Sequence, residues 1–437
     1  MKALSRRLIN SLNFRNLRNQ RLWDSFSLLS GSLCLLLIVG CSQVFQPTPI
    51  EEVPFRDRSE TQTIGTVRVT AAVPSAAESR ALFATNLYQK GIQPIWLQIE
   101  NLGNEQLTFL QVGTDSGYFT PLDSAGLLTR KSSKTKSQQI NNFFFDKSMN
   151  PYVEPGETRS GFLFSRLDEG TKSFNVDIIE GQRGLRQFTF FIPVPGLRID
   201  HQNVDWESLY SADEVREYEP DELAEILSNT TPCCVLDKEG KDKGDPLNLV
   251  IVGDIDDVYY AFLRAGWDET ETIYGASLLK TATSFFSGGE YRYSPVSGLY
   301  VFGRKQDVAF QKARSNIHER NHLRLWITPY LLDGESVWIG QISRDIGVRF
   351  TWRTITTHKI DPDVDETREF LLENLAYSQS LAKFAYVGGV GAAPIEAPRG
   401  NLTGDPYFTD GYRLVMWVSA KPIAMDDIEV LKWAPGE

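Results

Sequence analysis

The sequence predicts a β-sandwich followed by an α+β domain with a mixed or antiparallel sheet and packed helices. Residues 61–199 contain short alternating segments separated by turn signals, which is typical of a sandwich. Residues 246–437 instead mix strand-like and helix-like segments. The chain has 437 residues, which is too many for one hydrophobic core, so we expect two domains.

Residues 1–40 read as a secretory signal of the lipoprotein type. Six basic side chains and one acid precede an apolar run shorter than the roughly 20 residues that a membrane span needs. The run ends at Ile38-Val39-Gly40-Cys41, which resembles a bacterial lipobox, so we expect Cys41 to carry acyl (palmitate-type) chains. Residues 41–60 would be a tether. An uncleaved membrane helix over 26–45 is the alternative interpretation.

The net charge and the predicted location restrict the classes of binding partner. Loss of residues 1–40 moves the formal charge from −11 to −16, which argues against nucleic acid as a partner. We expect a cell-envelope protein that is held at a membrane by its N-terminal lipid, outside the cytoplasm. Ser42 after the lipidated cysteine favours the outer membrane.

The predicted sandwich spans residues 61–199, and a connector follows over 200–245. Strands are expected at 66–73, 95–100, 143–145, 161–164, 174–179 and 188–194. In the connector we expect a helix at 220–227, begun by Pro220, and an exposed charged loop at 238–245. Cys233 and Cys234 are adjacent, so a disulfide between them would be strained. A redox-responsive ring, a structural brace and two free thiols all remain open.

The C-terminal domain, residues 246–437, alternates both kinds of element. Strands are expected at 247–253, 298–304, 323–329, 337–343, 385–387 and 412–418. Helices are expected at 256–265, 276–286 and 361–382. The last of these begins at Asp361-Pro362-Asp363, which is a helix-start signal.

Several motifs of this domain resemble the LssY C-terminal domain family. They are DPLNLVIVG, AFLRAGW, SPVSGLYVFGRKQDVAFQK, HLRLW, DIGV and HKIDPDVD, within 245–421. The family has no established biochemical activity, so the resemblance does not predict a reaction. Some members carry the domain after a membrane phosphatase, and this association points to lipid or phosphorylated ligands of the envelope.

A two-residue hairpin at Asp333-Gly334 predicts a candidate site. It would place three polar pairs on one face: His322 with Asp345, Arg324 with Ser343, and Trp326 with Gln341. A carboxylate orients an imidazole and raises its basicity, and a neighbouring arginine holds a carboxylate or phosphate. Arg344 could also stabilise negative charge, and His358 could close the site from a loop.

A zinc site has weaker support. Residues 318–322 fit H-E-x-x-H, and His358 would be a third ligand if His318 and His322 lay on one helix. Because His322 is expected in a strand among arginines, we predict no metal, and Asp361 and Asp363 are expected to cap a helix. Nucleotide and dinucleotide motifs are missing from the sequence, so no cofactor is predicted.

The function we expect is therefore binding or accessory: a lipid-anchored envelope protein with a site for an anionic, phosphorylated or lipid-derived ligand. The alternative is a hydrolase or phosphoesterase with His322 as base, Asp345 orienting it, and Arg324 or Arg344 stabilising charge. A purely structural interaction protein is a third possibility.

Overall fold

The structure is a computed structural model that describes residues 45–433, except 116, 131, 183, 197–203, 207, 271–297, 314–319 and 350–356. Every element below lies within one compact unit, Pro47–Glu437. The expected signal segment, Cys41 and the expected helix at 276–286 lie outside the described residues.

Two four-stranded antiparallel sheets form the predicted sandwich. The first has the order β1-β2-β3-β6 and the second β5-β4-β7-β8, and both bury their inner faces in one core that includes Val69, Leu97, Val176 and Phe188. The strands are β1 (Glu60–Ile64), β2 (Val67–Ala72), β3 (Ile92–Asn101), β4 (Leu107–Phe109), β5 (Tyr152–Val153), β6 (Thr158–Arg166), β7 (Thr171–Glu180) and β8 (Leu185–Pro193).

Three helices lie in the loops of the sandwich: α1 (Ala76–Phe83), α2 (Pro121–Thr129) and α3 (Lys134–Lys147). The expected strand at 143–145 is wrong, because these phenylalanines lie in the last turns of α3. Phe144 is buried and packs on Phe83 and Phe164, with ring centroids 5.2 Å away in both cases, whereas Phe145 is exposed. The helix therefore buries one side of a run that resembles a buried strand in sequence.

The remaining elements follow the sandwich. The helices are α4 (Pro220–Asn229), α5 (Ile255–Arg264) and α6 (Val364–Tyr377). The strands are β9 (Arg216–Glu217), β10 (Cys234–Leu236), β11 (Lys243–Pro246), β12 (Leu249–Val252), β13 (Asp268–Glu269), β14 (Tyr300–Val301), β15 (Arg304–Lys305), β16 (Val308–Ala313), β17 (Arg320–Leu332), β18 (Glu335–Arg349), β19 (Thr357–Ile360), β20 (Leu381–Val387), β21 (Arg399–Gly400), β22 (Pro406–Tyr407), β23 (Arg413–Val418) and β24 (Glu429–Val430). Short 3-10 helices occur at Ile50–Glu52, Pro54–Arg58, Tyr88–Lys90, Gln111–Thr114 and Met425–Asp427.

A ten-stranded mixed sheet is the centre of the C-terminal region. Its main path is β13-β16-β17-β18-β12-β23-β20-β24, with β19 paired to β18 and β9 to β17. One face packs on α5 and α6 through an apolar core that includes Leu325, Trp338 and Phe262. The other face packs on α4 and on a small sheet of order β11-β10-β14-β15. The predicted fold class, a β-sandwich and an α+β region, is confirmed.

Three predicted elements differ in detail. The expected strand at 298–304 is a hairpin of β14 and β15, turned at Phe302-Gly303, where both residues have positive φ angles. The helix expected over 361–382 is shorter and gives way to β20 at Leu381. The expected loop at 238–245 ends in β11, where Asp245 is buried.

Candidate functional site

The hairpin of β17 and β18 positions the candidate site. Its turn is Asp333-Gly334, as predicted, and both residues have positive φ angles, 55° and 80°. Next to the turn the pairing also follows the prediction, with Leu332 opposite Glu335. An irregularity between Ile327 and Leu331 then shifts the register by two residues.

This shift overturns the three predicted polar pairs. Arg324 lies opposite Gln341, His322 opposite Ser343, and Trp326 opposite Ile339. The irregular segment contains Pro329, which has no backbone N–H to donate and is tolerated in sheets mainly at bulges and edges. Because the shift is an even number of residues, every side chain stays on its predicted face.

His322 and Asp345 nevertheless touch. Nε2 of His322 lies 2.6 Å from Oδ2 of Asp345, and the two residues are 6 % and 4 % exposed. They are diagonal neighbours on one face of the hairpin, since Ser343 occupies the position directly opposite His322. The contact is a buried hydrogen-bonded pair rather than the surface pair that a polar strand face suggests.

His322 is neutral at physiological pH. Burial lowers the pKa of its imidazole to about 4, and the opposing attraction of Asp345 does not overcome that cost. A carboxylate only accepts hydrogen bonds, so Nε2 carries the hydrogen and donates it to Asp345. This arrangement fixes the tautomer and the ring orientation of the imidazole.

Two buried arginines flank the pair on the same face. Nη1 of Arg320 donates to Oε1 of Gln311 at 2.8 Å, and Nη1 of Arg324 donates to Oε1 of Gln341 at 2.9 Å. Burial lowers the pKa of Arg320, and Asp345 opposes this effect. Among the described residues, Nε of Arg320 and Nε2 of Gln341 are buried donors without a hydrogen-bond partner. We call His322, Asp345, Arg320, Arg324, Gln311 and Gln341 the polar layer.

Elements that are distant in sequence cover this face of the hairpin. Trp326 and Ile339, on the same face, pack against Val235, Leu247 and Val301 of the small sheet and its neighbouring segments. Asp245 of β11 is buried, which raises its pKa, while the positive charge of Arg324 opposes that rise. Asn401 donates to Oδ1 of Asp245 at 3.2 Å. The polar layer is therefore enclosed between two sheets.

Arg344 does not join the polar layer, which corrects the role proposed for it beside His322. It lies on the opposite face of β18, where its Nη1 pairs with Glu366 and its Nε donates to Asn321 at 3.1 Å. Its guanidinium carbon is 5.7 Å from the ring centroid of Phe370. Arg344 thus holds the start of α6 against the sheet.

Asp361 and Asp363 precede α6 and hold its start, as predicted. Oδ1 of Asp363 accepts the backbone N–H of Glu366 at 3.0 Å, and Oδ1 of Asp361 accepts that of Asp363 at 3.1 Å. Both carboxylates therefore satisfy backbone donors at the start of a helix.

The other two histidines of the predicted site, His318 and His358, lie wholly or partly outside the described residues. His358 lies in β19, opposite Val348, rather than in the expected loop, and its side chain is outside the described residues. His318 is also outside them. Within the part of the chain that the structure describes, His322 is in a strand, and no cluster of three or more His, Cys, Asp or Glu is arranged to hold a metal ion.

Cys233 and Cys234 form a vicinal disulfide, with their Cα atoms 3.8 Å apart. Cys234 is buried in β10, and the carbonyl of Cys233 accepts the N–H of Leu247 at 2.9 Å. The buried Arg413 donates to the carbonyl of the preceding Pro232 at 2.9 Å. The disulfide therefore lies at the start of β10, in a segment held by these backbone hydrogen bonds.

Sequence reasoning missed four residues around His322: Gln311, Arg320, Ser343 as its direct neighbour, and Asp245. Pro329 within a strand-like run was the available signal for the register shift that brings Ser343 opposite His322. Asp245 had no such signal, because its approach depends on the packing of β11 over the central sheet.

Comparison with known proteins agrees with the motifs. The model of the LssY C-terminus family matches residues 229–412, a segment that contains the polar layer. No curated protein matches the chain. Among the described residues, none of the helices has the length and apolar composition that a membrane span requires.

Proposed function

We propose that this chain, which belongs to the LssY C-terminus family through residues 229–412, is a lipid-anchored envelope protein that binds an anionic ligand at the polar layer. The ligand would carry a carboxylate or phosphate, the groups that buried arginines recognise.

The two unpartnered donors carry the proposal. Arg320 Nε and Gln341 Nε2 are buried, and neither has a hydrogen-bond partner among the described residues. Such donors cost free energy when buried, on the order of 1–3 kcal/mol each. An acceptor-rich anion that reached either donor would satisfy it, and its negative charge would favour the buried Arg320 guanidinium.

The state of His322 favours binding over catalysis. A general base works best when its pKa lies near the operating pH, whereas burial lowers the pKa of His322 to about 4. A neutral imidazole tied to Asp345 can shape a binding site without moving a proton. Its role in the proposal is to fix the Asp345 carboxylate on the sheet face that also carries Arg320 and Arg324.

Binding is tested by titrating the purified protein with inorganic phosphate and, separately, with acetate. We expect one of them to bind and Arg324→Gln to weaken it by about tenfold or more. Arg324→Lys should fall between the two, because lysine keeps the charge but loses the planar fork. Arg216→Gln, at an exposed arginine of β9, is the matched control. Equal binding by wild type and Arg324→Gln would overturn the proposal.

The anchor rests on the basic segment, the short apolar run and Ile38-Val39-Gly40-Cys41. Its test is palmitate labelling in a bacterial host. Cys41→Ala should abolish the label and release the protein from membranes, whereas Cys34→Ala, within the apolar run, should leave both unchanged. Label that survives Cys41→Ala would refute lipidation there.

A hydrolase is the second candidate, and one observation favours it. Ser343 lies directly opposite His322, so a hydroxyl, an imidazole and a carboxylate share one face. In this version Ser343 is the nucleophile, His322 its base, Asp345 the orienting group, and Arg324 the charge stabiliser. Turnover of phosphorylated lipids or aryl phosphates that survives Ser343→Ala would exclude this nucleophile. Protein inert on the whole panel would leave binding as the function.

A further inference from the structure

A polar cleft separate from the polar layer lies between the sandwich and the central-sheet region. It has a volume of about 510 Å³ and is lined by β7 residues on one side and by the end of α5 and the start of β13 on the other. Tyr260 of α5 joins the two walls, since its hydroxyl donates to Asn175 of β7 and accepts from Thr189 at 3.4 Å. This volume is within the range of small-molecule sites, about 300–1,000 Å³.

Two acids that line the cleft, Asp115 and Asp168, already pair with a buried lysine of the protein. Lys172 is fully buried, and its Nζ lies 2.6 Å from a carboxylate oxygen of both Asp115 and Asp168. Its third contact is the backbone carbonyl of Arg166, at 2.8 Å. These groups form a closed ion cluster at one end of the cleft, so they are not the groups that would recognise a ligand.

Asp177 supplies an acceptor that the fold does not use. Its Oδ1 is buried and has no hydrogen-bond partner among the described residues. Burial raises the pKa of this carboxyl, and a hydrogen bond from Gln187 and the charge of Arg264 only partly oppose that rise. An ammonium group placed in the cleft would donate to this oxygen and would oppose the cost of burying the carboxylate charge.

Arg264, at the end of α5, supplies the complementary donor. Its Nη1 is buried and likewise has no hydrogen-bond partner within the described part of the chain. The guanidinium carbon lies 5.4 Å from the ring centroid of Tyr260, so the aromatic face fixes the position of the charge. A carboxylate is the ligand group that a guanidinium pairs with best, through two parallel hydrogen bonds.

We propose that this cleft binds a small zwitterion, with its carboxylate at Arg264 and its ammonium at Asp177. Free amino acids and the ω-amino acids are the chemical class that carries both groups within this size. The proposal is independent of the anion proposed for the polar layer, because none of the residues that line the cleft belongs to that layer.

The test is calorimetric titration of the purified protein with glycine, β-alanine, 4-aminobutyrate and 5-aminopentanoate, which differ in the separation of the two charges. Acetate and methylammonium are the single-charge controls. We expect one zwitterion to bind at least about tenfold more tightly than either control. Arg264→Gln and Asp177→Asn should each weaken that binding by about tenfold or more.

The variant Asp177→Asn also distinguishes a specific loss of binding from unfolding of the protein. Because asparagine keeps the shape and removes a carboxyl whose charge is disfavoured by burial, this variant should melt no lower than wild type while losing affinity. Asp256→Asn and Arg80→Gln, both exposed, are matched controls that should bind normally. Absence of binding by every zwitterion up to about 10 mM, or unchanged affinity in both cleft variants, would overturn the proposal.

Discussion

His322 bonds to Asp345 across the β17–β18 hairpin, 2.6 Å from Nε2 to Oδ2, although Ser343 and not Asp345 lies directly opposite it. Diagonal neighbours on one face of a sheet are about 7–8 Å apart at the backbone, within reach of a long side chain. The contact therefore requires only that both residues share a face. For the same reason, a two-residue register shift changes the partners of His322 without removing Asp345.

Removal of the Asp345 carboxylate should destabilise the fold strongly. The variant Asp345→Ala leaves the buried Arg320 without the attraction of this carboxylate and leaves Nε2 of His322 without its acceptor. Loss of one partner from a buried charged network typically costs about 3–5 kcal/mol of unfolding free energy. Urea denaturation of the purified variant measures this cost.

The matched control is Asp426→Ala, at an exposed aspartate, which should change the free energy of unfolding by less than about 0.5 kcal/mol. A cost below about 1 kcal/mol for Asp345→Ala would mean that the buried network is not formed in solution.

His322 should make the protein less stable in mild acid. An unfolded histidine has a pKa of about 6.5, whereas burial lowers the pKa of folded His322 to about 4. Between these values the unfolded chain binds a proton that the folded chain does not, so the free energy of unfolding decreases as pH falls through this window. His322→Asn should therefore lose less thermal stability than wild type between pH 7 and pH 4.5.

Nuclear magnetic resonance gives an independent readout. The imidazole signal that disappears in His322→Asn should remain that of a neutral ring down to about pH 5. A titration midpoint near 6.5 would show that this ring is solvated, and would contradict its burial in the polar layer.

The face on which each hairpin side chain lies was predictable from the sequence, whereas the residue directly opposite it was not. Strict alternation in β17 and β18 separates His322, Arg324 and Asp345 from Leu323 and Leu325, and the Asp333-Gly334 turn sets the local pairing. The register that this turn sets holds at Leu331 but not from Ile327 onwards, because the irregular segment with Pro329 adds residues to one strand. A single proline in a strand-like run was the only local sign of it.

Burial of the polar face could not be read from the hairpin. Its cover comes from Val235, Leu247 and Val301, which are distant in the chain, and Asn401 approaches through Asp245. Alternating polar residues usually indicate a solvated face, because a sheet with one polar side is most often open to water. Only the packing of the small sheet over the central sheet reverses that expectation.

Glu269 should make stability fall as pH rises. Burial raises the pKa of its carboxyl to about 8, although a hydrogen bond from Thr171 at 3.3 Å favours the ionised form. Between pH 4.5 and pH 8 the folded chain holds a proton that the unfolded chain releases, so the free energy of unfolding decreases across this window. Glu269→Gln keeps the neutral shape and should flatten the decline, as measured by melting temperature against pH.

The control is Glu239→Gln, at an exposed glutamate, and its melting temperature should decline with pH as that of wild type does. If Glu269→Gln and wild type lose stability in parallel from pH 5 to pH 8, Glu269 is ionised in the folded protein, and the contact between β7 and β13 is open to water.

Gly389 should be far less tolerant of substitution than Gly400, although both lie in the C-terminal region. Gly389 has a φ of +116°, and a Cβ there would lie 2.4 Å from the carbonyl oxygen of Leu227 and 3.1 Å from Nε of Arg413. That arginine is fully buried and donates to the carbonyls of Thr231, Pro232 and Gly389, which ties α4 and the disulfide segment to β23. Backbone strain alone makes Gly389→Ala cost about 1–3 kcal/mol of unfolding free energy, and displacement of Arg413 adds to this cost.

A Cβ at Gly400 meets nothing within 4 Å, so Gly400→Ala should change the free energy of unfolding by less than about 0.5 kcal/mol. Urea denaturation of both variants measures the difference, and equal costs would mean that Arg413 does not clamp these carbonyls in solution.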